Sequence, residues 1–364
     1  MIKPASSLCD MHCSYCFYSD VAASRNQAFM GIMSHEIADL LIINSLCVLE
    51  AGDHITFAFQ GGEPSLAGLD FFLHFTKKVK ESTPKGVKVH YAMQSNGLLL
   101  NDDWCVFFRK NNFLIGLSLD GDAALHNQNR MDNYGKGTFN RVMDAKKMLN
   151  RHDVTYNILC VLTAESARRA KRLWNFIVRE QISYIQFIPC LEPLEENPRK
   201  TDDKTALSGE RFYRFYSDLY PLWKKELEKG NLIYIRLFEE LAATLLGGQR
   251  PPCSLSGICS PQIIVEADGS VYPCDFYVLD EHKVSNLTTH NLKDAFEAVA
   301  ASDFLNKPQE LSPLKKHCAN CQHNIWCKGG CKRMSQTVYG KGCGMRMFLD
   351  ECLQDLLETF ANSL

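Results

Sequence analysis

Residues 9–16 read CDMHCSYC. The spacing Cys9-x3-Cys13-x2-Cys16 gathers three thiols into eight residues, with no fourth cysteine close by. Thiolates at this density bind iron–sulfur clusters or zinc. A structural zinc site normally takes four protein ligands, and His12, flanked by ligands, is badly placed to be the fourth. Three cysteines on a four-iron cluster leave one iron open to a substrate or cofactor, which gives the missing ligand a chemical reason. The cysteines lie on a loop after a short apolar segment, residues 2–5, read as a first strand.

Outward from that loop, strand-like segments recur at 55–59, 87–93, 114–119, 155–162 and 184–188. Several are near-continuous apolar runs, as in strands buried on both faces of a parallel sheet. Amphipathic helical stretches alternate with them at 34–49, 70–81, 102–111, 138–151 and 164–180. Strand then helix, repeated, is the pattern of a parallel α/β sheet. Counting residues 2–5, six such units are too few to close an eight-stranded barrel, so a partial barrel or an open sheet is expected. Gln60-Gly61-Gly62-Glu63-Pro64, Gln94-Ser95-Asn96-Gly97 and Asp120-Gly121 follow three successive strands. Each alone is ordinary turn chemistry. Together they mark the carboxyl ends of the strands, where parallel sheets bind ligands. A polar stretch at 192–210 reads as a surface loop, a helix is expected over 211–229, and Gly247-Gly248-Gln249-Arg250-Pro251-Pro252 reads as a boundary.

The 364 residues are 46% hydrophobic and 23% charged, with a net charge of −2, which excludes wholesale disorder and argues against a large phosphate-neutralising surface. No nucleic-acid partner and no membrane are expected. Residues 1–7 lack the apolar core of a signal peptide, and the best apolar run, 40–49, is too short to span a bilayer. A cytoplasmic location follows as an expectation, and there the 16 cysteines favour metal or catalytic roles over disulfides. Cys47, Cys105, Cys160, Cys190 and Cys352 are scattered among apolar residues and read as small buried hydrophobes. The C-terminal quarter carries Cys253-x5-Cys259-x14-Cys274 and Cys318-x2-Cys321-x5-Cys327-x3-Cys331-x11-Cys343. Eight thiolates complete two four-ligand sites, and composition alone leaves zinc open for both.

The CxxxCxxC spacing, with Tyr15 before the last cysteine, resembles the radical S-adenosylmethionine (SAM) superfamily, and Gly61-Gly62-Glu63-Pro64 matches its GGEP motif. The resemblance implies that Cys9, Cys13 and Cys16 hold a [4Fe-4S] cluster whose open iron binds SAM, and that the GGEP backbone and carboxylate hold the SAM ammonium. The C-terminal pattern resembles the SPASM extension of peptide-modifying members, which implies two auxiliary [4Fe-4S] clusters. Cys253, Cys259, Cys274 and Cys331 are assigned to one of them, and Cys318, Cys321, Cys327 and Cys343 to the other. Cys343 is preferred to Cys352, which sits in a helix-like tail at 348–360.

Residues 2–18, 57–68 and 269–280 look like anaerobic sulfatase-maturating enzymes, and the likeness runs over essentially the whole chain. It implies a partial (β/α)6 TIM-like barrel over 1–235, a cysteine-rich SPASM-type domain over 236–345 and a C-terminal helix over 346–364. It implies oxidation of one cysteine or serine of a sulfatase, in a Cys/Ser-x-Pro-x-Arg motif, to Cα-formylglycine. Flavodoxin or ferredoxin is the implied electron donor. By the same resemblance Asp275 is the base. Tyr15 and Leu191 lie by the adenine, Gly62 contacts the methionine moiety, and Ser118 and Arg130 hold polar groups of SAM. Tyr18, Gln60, Gln94 and Asn96 are weaker candidates for the peptide or the ribose. Residues 284–287 and 340–347 depart from the family's usual pattern. The competing readings are another SPASM enzyme that cross-links or epimerises a ribosomal peptide, and a zinc-stapled binding module.

Overall fold

A computed structural model of the chain describes residues 1–194, 205–306, 313–340 and 342–363. Residues 195–204, most of the expected polar loop, lie outside them, as does position 341 within the unusual 340–347 stretch. In chain order the strands are β1 (Met11–Cys13), β2 (His54–Phe59), β3 (Lys88–Ser95), β4 (Phe113–Ser118), β5 (Arg130–Asp132), β6 (Tyr156–Leu162), β7 (Tyr184–Pro189), β8 (Tyr234–Ile235), β9 (Ile264–Val265), β10 (Ser270–Tyr272) and β11 (Ser285–Asn286). Six of them form one parallel sheet in the order β2-β3-β4-β6-β7-β8. Strand order follows chain order, so every crossover runs the same way, as in a partial (β/α) barrel.

The two faces of the sheet differ because side chains alternate along each strand. One face is aromatic. Phe59 packs on Phe72 at 4.9 Å, Phe57 on Phe75 at 5.3 Å, and Phe113 on Phe107 at 5.2 Å. These partners come from the helices Leu69–Ser82 and Asp102–Lys110, which cover that face. Gln94 and Ser118 point the other way, and Gln94 is exposed although it lies in a central strand. The uncovered face is the concave side of the incomplete barrel. Helix starts follow local chemistry: the Ser34 side chain accepts from the Ile37 amide and Asn101 from the Trp104 amide.

Five expectations need correction, the first being Cys47, which is exposed rather than buried. Residues 2–5 do not form a strand. Only Ile2 pairs with β2, its amide on Ala58 O at 2.7 Å and its carbonyl accepting from Gln60 at 3.0 Å. Pro4 has no amide to continue the ladder. Lys3 turns away, donating to Val265 O at 2.8 Å. The sixth strand of the barrel is therefore β8, two residues too short to show a period. The helix expected over 164–180 is broken into Ala164–Ala167 and Ala170–Arg179. The tail helix is longer than 348–360, running Gly344–Ser363. It packs back along the helix Gly209–Glu228, with Tyr213 and Ser217 donating to Glu351 and Lys224 paired with Asp355 at 2.6 Å.

Beyond the barrel, β9, β10 and β11 form an antiparallel sheet, and the other elements there are short apart from the helix Leu292–Ala301 and the tail helix. Residues 1–3 join the two sheets, since Ile2 bridges both Phe59 and Val265. Among the described residues no helix is long and apolar enough to cross a membrane.

Candidate active site

The carboxyl ends of the barrel strands converge on the cysteine loop. The Gly62 amide donates to Ser6 O and the Glu63 amide to Leu8 O, each at 2.7 Å, so the glycine loop lies against the residues that lead into Cys9. A Cβ on Gly62 would stand 2.0 Å from Leu8 O, which leaves room for glycine alone. Gly61 adopts φ +143, in the region that favours glycine.

Glu63 is held by four donors within the protein, three on Oε1 and one on Oε2. Its carboxylate accepts from the Ser65 amide (3.1 Å), Ser65 Oγ (2.7 Å), Ser95 Oγ (2.9 Å) and the Asn96 amide (2.7 Å). Burial pushes its pKa above the usual carboxylate range, against the pull of these donors. Asn96 passes the connection on, donating to Asp10 Oδ1 at 2.7 Å. Glu63 thus locks the loops after β2 and β3 to the cysteine loop.

On the other side, β1 pairs with β5 and sets Cys13 opposite Arg130. Arg130 makes a buried twofold contact with Asp120, Nε to Oδ2 at 3.0 Å and Nη2 to Oδ1 at 3.3 Å. Tyr15 donates its hydroxyl to Asp120 Oδ2, and the Arg130 guanidinium lies 5.5 Å from the centre of the Tyr15 ring. Behind them His126 accepts from the Asp120 amide and sits 3.0 Å from Thr138 Oγ1. Ser118 ends β4 half-buried, and Leu191 is buried just past the end of β7.

The C-terminal unit reaches into the same region. Phe276 packs on Phe17, the residue after Cys16, with centroids 5.1 Å apart. The adjacent Asp275 is 8% exposed and is held at both oxygens, by Lys3 Nζ at 2.5 Å and by Gln60 Nε2 at 2.8 Å. Gln60 immediately precedes the glycine loop, so a carboxylate from the C-terminal unit is fixed at the mouth of the barrel. Tyr18 lies beneath, its hydroxyl on Glu266 and its ring 4.0 Å from the Lys3 ammonium.

The remaining cysteines form two groups. Cys253 and Cys274 each feel the charges of Cys259 and Cys331. The Cys331 amide donates to Ser254 O at 3.2 Å. Left-handed glycines allow the approach: a Cβ on Gly257 would meet Lys328 O at 2.5 Å, and one on Gly330 would enter the Tyr339 ring. Cys318, Cys321, Cys327 and Cys343 line a single cavity, together with His317 and Tyr339. Cys352 is buried in the tail helix and its electrostatic neighbours are Glu351 and Asp355. Among the described residues no three His, Cys, Asp or Glu side chains close on a point as one zinc ion requires. Burial pushes the thiols of Cys9 and Cys274 up to about 12 and those of Cys13 and Cys327 up to about 11.

Residues 4–173 match the radical SAM superfamily, and residues 257–322 match the SPASM iron-sulfur cluster-binding domain. The chain is 37% identical over 350 residues to a cysteine-type anaerobic sulfatase-maturating enzyme of Clostridium novyi, covering 96% of this chain and 92% of that one. The chain belongs to the anaerobic sulfatase-maturating enzymes. A serine-type member from Klebsiella aerogenes is 30% identical, with 91% of this chain and 78% of that one covered. The structure superposes on native anSMEcpe with bound AdoMet and Cp18Cys peptide at a TM-score of 0.89 and 33% identity, over 100% of this chain and 98% of that one.

Within this family frame, the structure brings Tyr15, Gly62 and Arg130 to the cysteine loop, and Gln60, Tyr18 and Asp275 to one another. Asn96 faces Asp10, with Cys9 Sγ 3.8 Å from its amide nitrogen. Gln94 lies on the open concave face with no hydrogen bond to these groups. Sequence reasoning missed Lys3 and Glu266, and marked Asp120 only as part of a strand-end loop; all three are buried charges that complete the contacts of expected residues. Lys3 carried a signal: a lysine inside a segment read as a buried strand needs a buried counter-charge.

Proposed function

We propose that this chain oxidises the cysteine of a Cys-x-Pro-x-Arg motif in a sulfatase polypeptide to Cα-formylglycine. As a member of its family it is a radical SAM enzyme that generates formylglycine. Cysteine is preferred to serine because the cysteine-type relatives, at 37% and 38% identity, stand closer than the serine-type ones at 28% to 30%. Relatives at 28% to 38% identity are sulfatase-maturating enzymes, which favours this reading over the cross-linking or epimerising alternative.

Cys9, Cys13 and Cys16 would hold the SAM-binding [4Fe-4S] cluster. Cys253, Cys259, Cys274 and Cys331 would hold one auxiliary cluster, and Cys318, Cys321, Cys327 and Cys343 the other. When bound, these groups and SAM supply a 5′-deoxyadenosyl radical that removes a Cβ hydrogen, and an acceptor for the electron released afterwards. The protein's own residues do the rest. Gly62, whose amide is tied to Ser6 O, offers its carbonyl to the methionine moiety, and Tyr15 and Leu191 offer surfaces to the adenine. Ser118 supplies a hydroxyl, and Arg130, oriented by Asp120, a guanidinium suited to a carboxylate. Asp275 takes the thiol proton, so that loss of a hydrogen atom, a proton and an electron turns CH2–SH into a thioaldehyde, which water hydrolyses to the aldehyde with release of hydrogen sulfide. A flavodoxin or ferredoxin is the fitting one-electron donor, and the cysteine content suits a reducing cytosol.

The observation that carries this reading is Asp275, buried and held at 2.8 Å by the residue that opens the glycine loop. Asp275→Asn, in reconstituted enzyme under anaerobic conditions, should form 5′-deoxyadenosine while aldehyde falls at least ~100-fold. Parent-like aldehyde formation would remove Asp275 from the chemistry.

A further inference from the structure

The ammonium that meets Asp275 is not a surface charge. The Lys3 side chain is 0% exposed, and Asp275 Oδ1 stands 2.5 Å from it. The face of Tyr18 lies 4.0 Å from it, and the Met1 amino group is close enough to feel the charges of both Lys3 and Asp275. Tyr18 is fixed in turn by Glu266, which is paired with Arg25 at 2.7 Å in a contact where both side chains are 0% exposed. Burying an ammonium costs several kcal/mol unless a counter-charge is placed for it. The backbone that carries Lys3 is just as constrained. Ile2 is stitched to β2 and Lys3 to Val265 O at 2.8 Å, so the strap runs between the barrel and the sheet that leads to Cys274 and Asp275.

We propose that Lys3 is a positioning residue for the oxidation of the peptide. Its ammonium, backed by the Tyr18 ring, holds Asp275 in one orientation toward the glycine loop while Gln60 ties the second oxygen. Each carboxylate oxygen keeps a further lone pair, so Asp275 can take a proton with both contacts intact. Displacement by ~1 Å at a reacting group costs on the order of 100-fold in rate, and two fixed donors prevent it. The proposal rests on the reading of Asp275 as the base.

Lys3→Met removes the ammonium, and Lys3→Gln keeps a donor without the charge. Both are compared with the parent and with Asp275→Asn as reconstituted holoenzymes on a cysteine peptide carrying the Cys-x-Pro-x-Arg motif. The readouts are aldehyde per 5′-deoxyadenosine, kcat and KM, direct peptide affinity, iron content and melting midpoint. For Lys3→Met the aldehyde per 5′-deoxyadenosine should fall at least ~10-fold and kcat ~100-fold, with KM and peptide affinity within about threefold of the parent. Lys3→Gln should fall between. If Asp275→Asn uncouples the products and folded Lys3 variants do not, this proposal is overturned and Asp275 stands. If Asp275→Asn itself stays coupled, the reading of the base fails and the proposal goes with it. If Lys3→Met loses iron, Lys3→Gln decides. Loss of iron and fold in both variants would make Lys3 a structural residue and overturn the proposal.

Discussion

His126 is buried behind Asp120, and its ring nitrogen accepts from the Asp120 amide, so it must be neutral there. Burial pushes its pKa down to about 4. The unfolded chain takes up that proton near 6.5. The contribution to stability is therefore complete above pH ~6.5 and is lost as the pH falls toward ~4, with about 1 kcal/mol gone by pH ~5.5. Urea midpoints at about pH 7.5 and about pH 5.5 should show this loss, and His126→Gln should flatten it. The same buried cluster sets a cost for Arg130. Arg130→Met would leave Asp120 as a lone buried charge and should destabilise by about 3 kcal/mol as well as weaken SAM binding, read by calorimetry and by SAM titration. Cys13→Ala should abolish SAM cleavage, with no 5′-deoxyadenosine above background. At this scale the sequence was legible wherever chemistry is written as local spacing. Cys9 to Cys16 and the glycine loop are such cases. Lys3 and Asp275 were not legible as a pair, because 272 positions separate them and only the fold brings them together.

The loops show where period and propensity suffice and where they fail. The glycine loop works only because Gly62 has no side chain. Gly62→Ala would press a Cβ against Leu8 O and shift the residues before Cys9. The variant should lose about one third of its iron and at least tenfold in SAM cleavage, with the auxiliary groups kept. Iron analysis and 5′-deoxyadenosine yield together would show whether only the first group is lost. Cys343 gives a second contrast. It shares a cavity with Cys318, Cys321 and Cys327, while Cys352 is packed in the tail helix. Cys343→Ala should lower iron content and Cys352→Ala should leave it at the parent level; the reverse result would reassign the ligand. The barrel strands with a sustained apolar run were readable, β2 to β4 and β6 to β7. β8 was not, with two residues of pairing. Residues 2–5 misled because their composition suits a strand, whereas the pairing is confined to the bridges of Ile2 with Phe59 and Val265, and Pro4 has no amide to extend it.

At the scale of the whole molecule, the barrel and the C-terminal unit are joined where the chemistry lies. Residues 1–3 hold β2 to β9, Phe17 packs on Phe276, and Gln60 and Lys3 both grip Asp275. Asp275, the base in the proposed reading, enters the barrel mouth on the segment that follows Cys274. The order of barrel first and cysteine-rich unit second was visible in the sequence as a change in composition. The way the second unit leans over the first was not, since it depends on side chains from both. The most direct measurement is an anaerobic reaction of the iron-reconstituted protein with reductant, SAM and a sulfatase-type cysteine peptide, following peptide mass and 5′-deoxyadenosine together. Conversion of the cysteine to formylglycine in step with 5′-deoxyadenosine is the predicted result. 5′-Deoxyadenosine without a change in peptide mass, or neither product from protein of confirmed iron content, would contradict it.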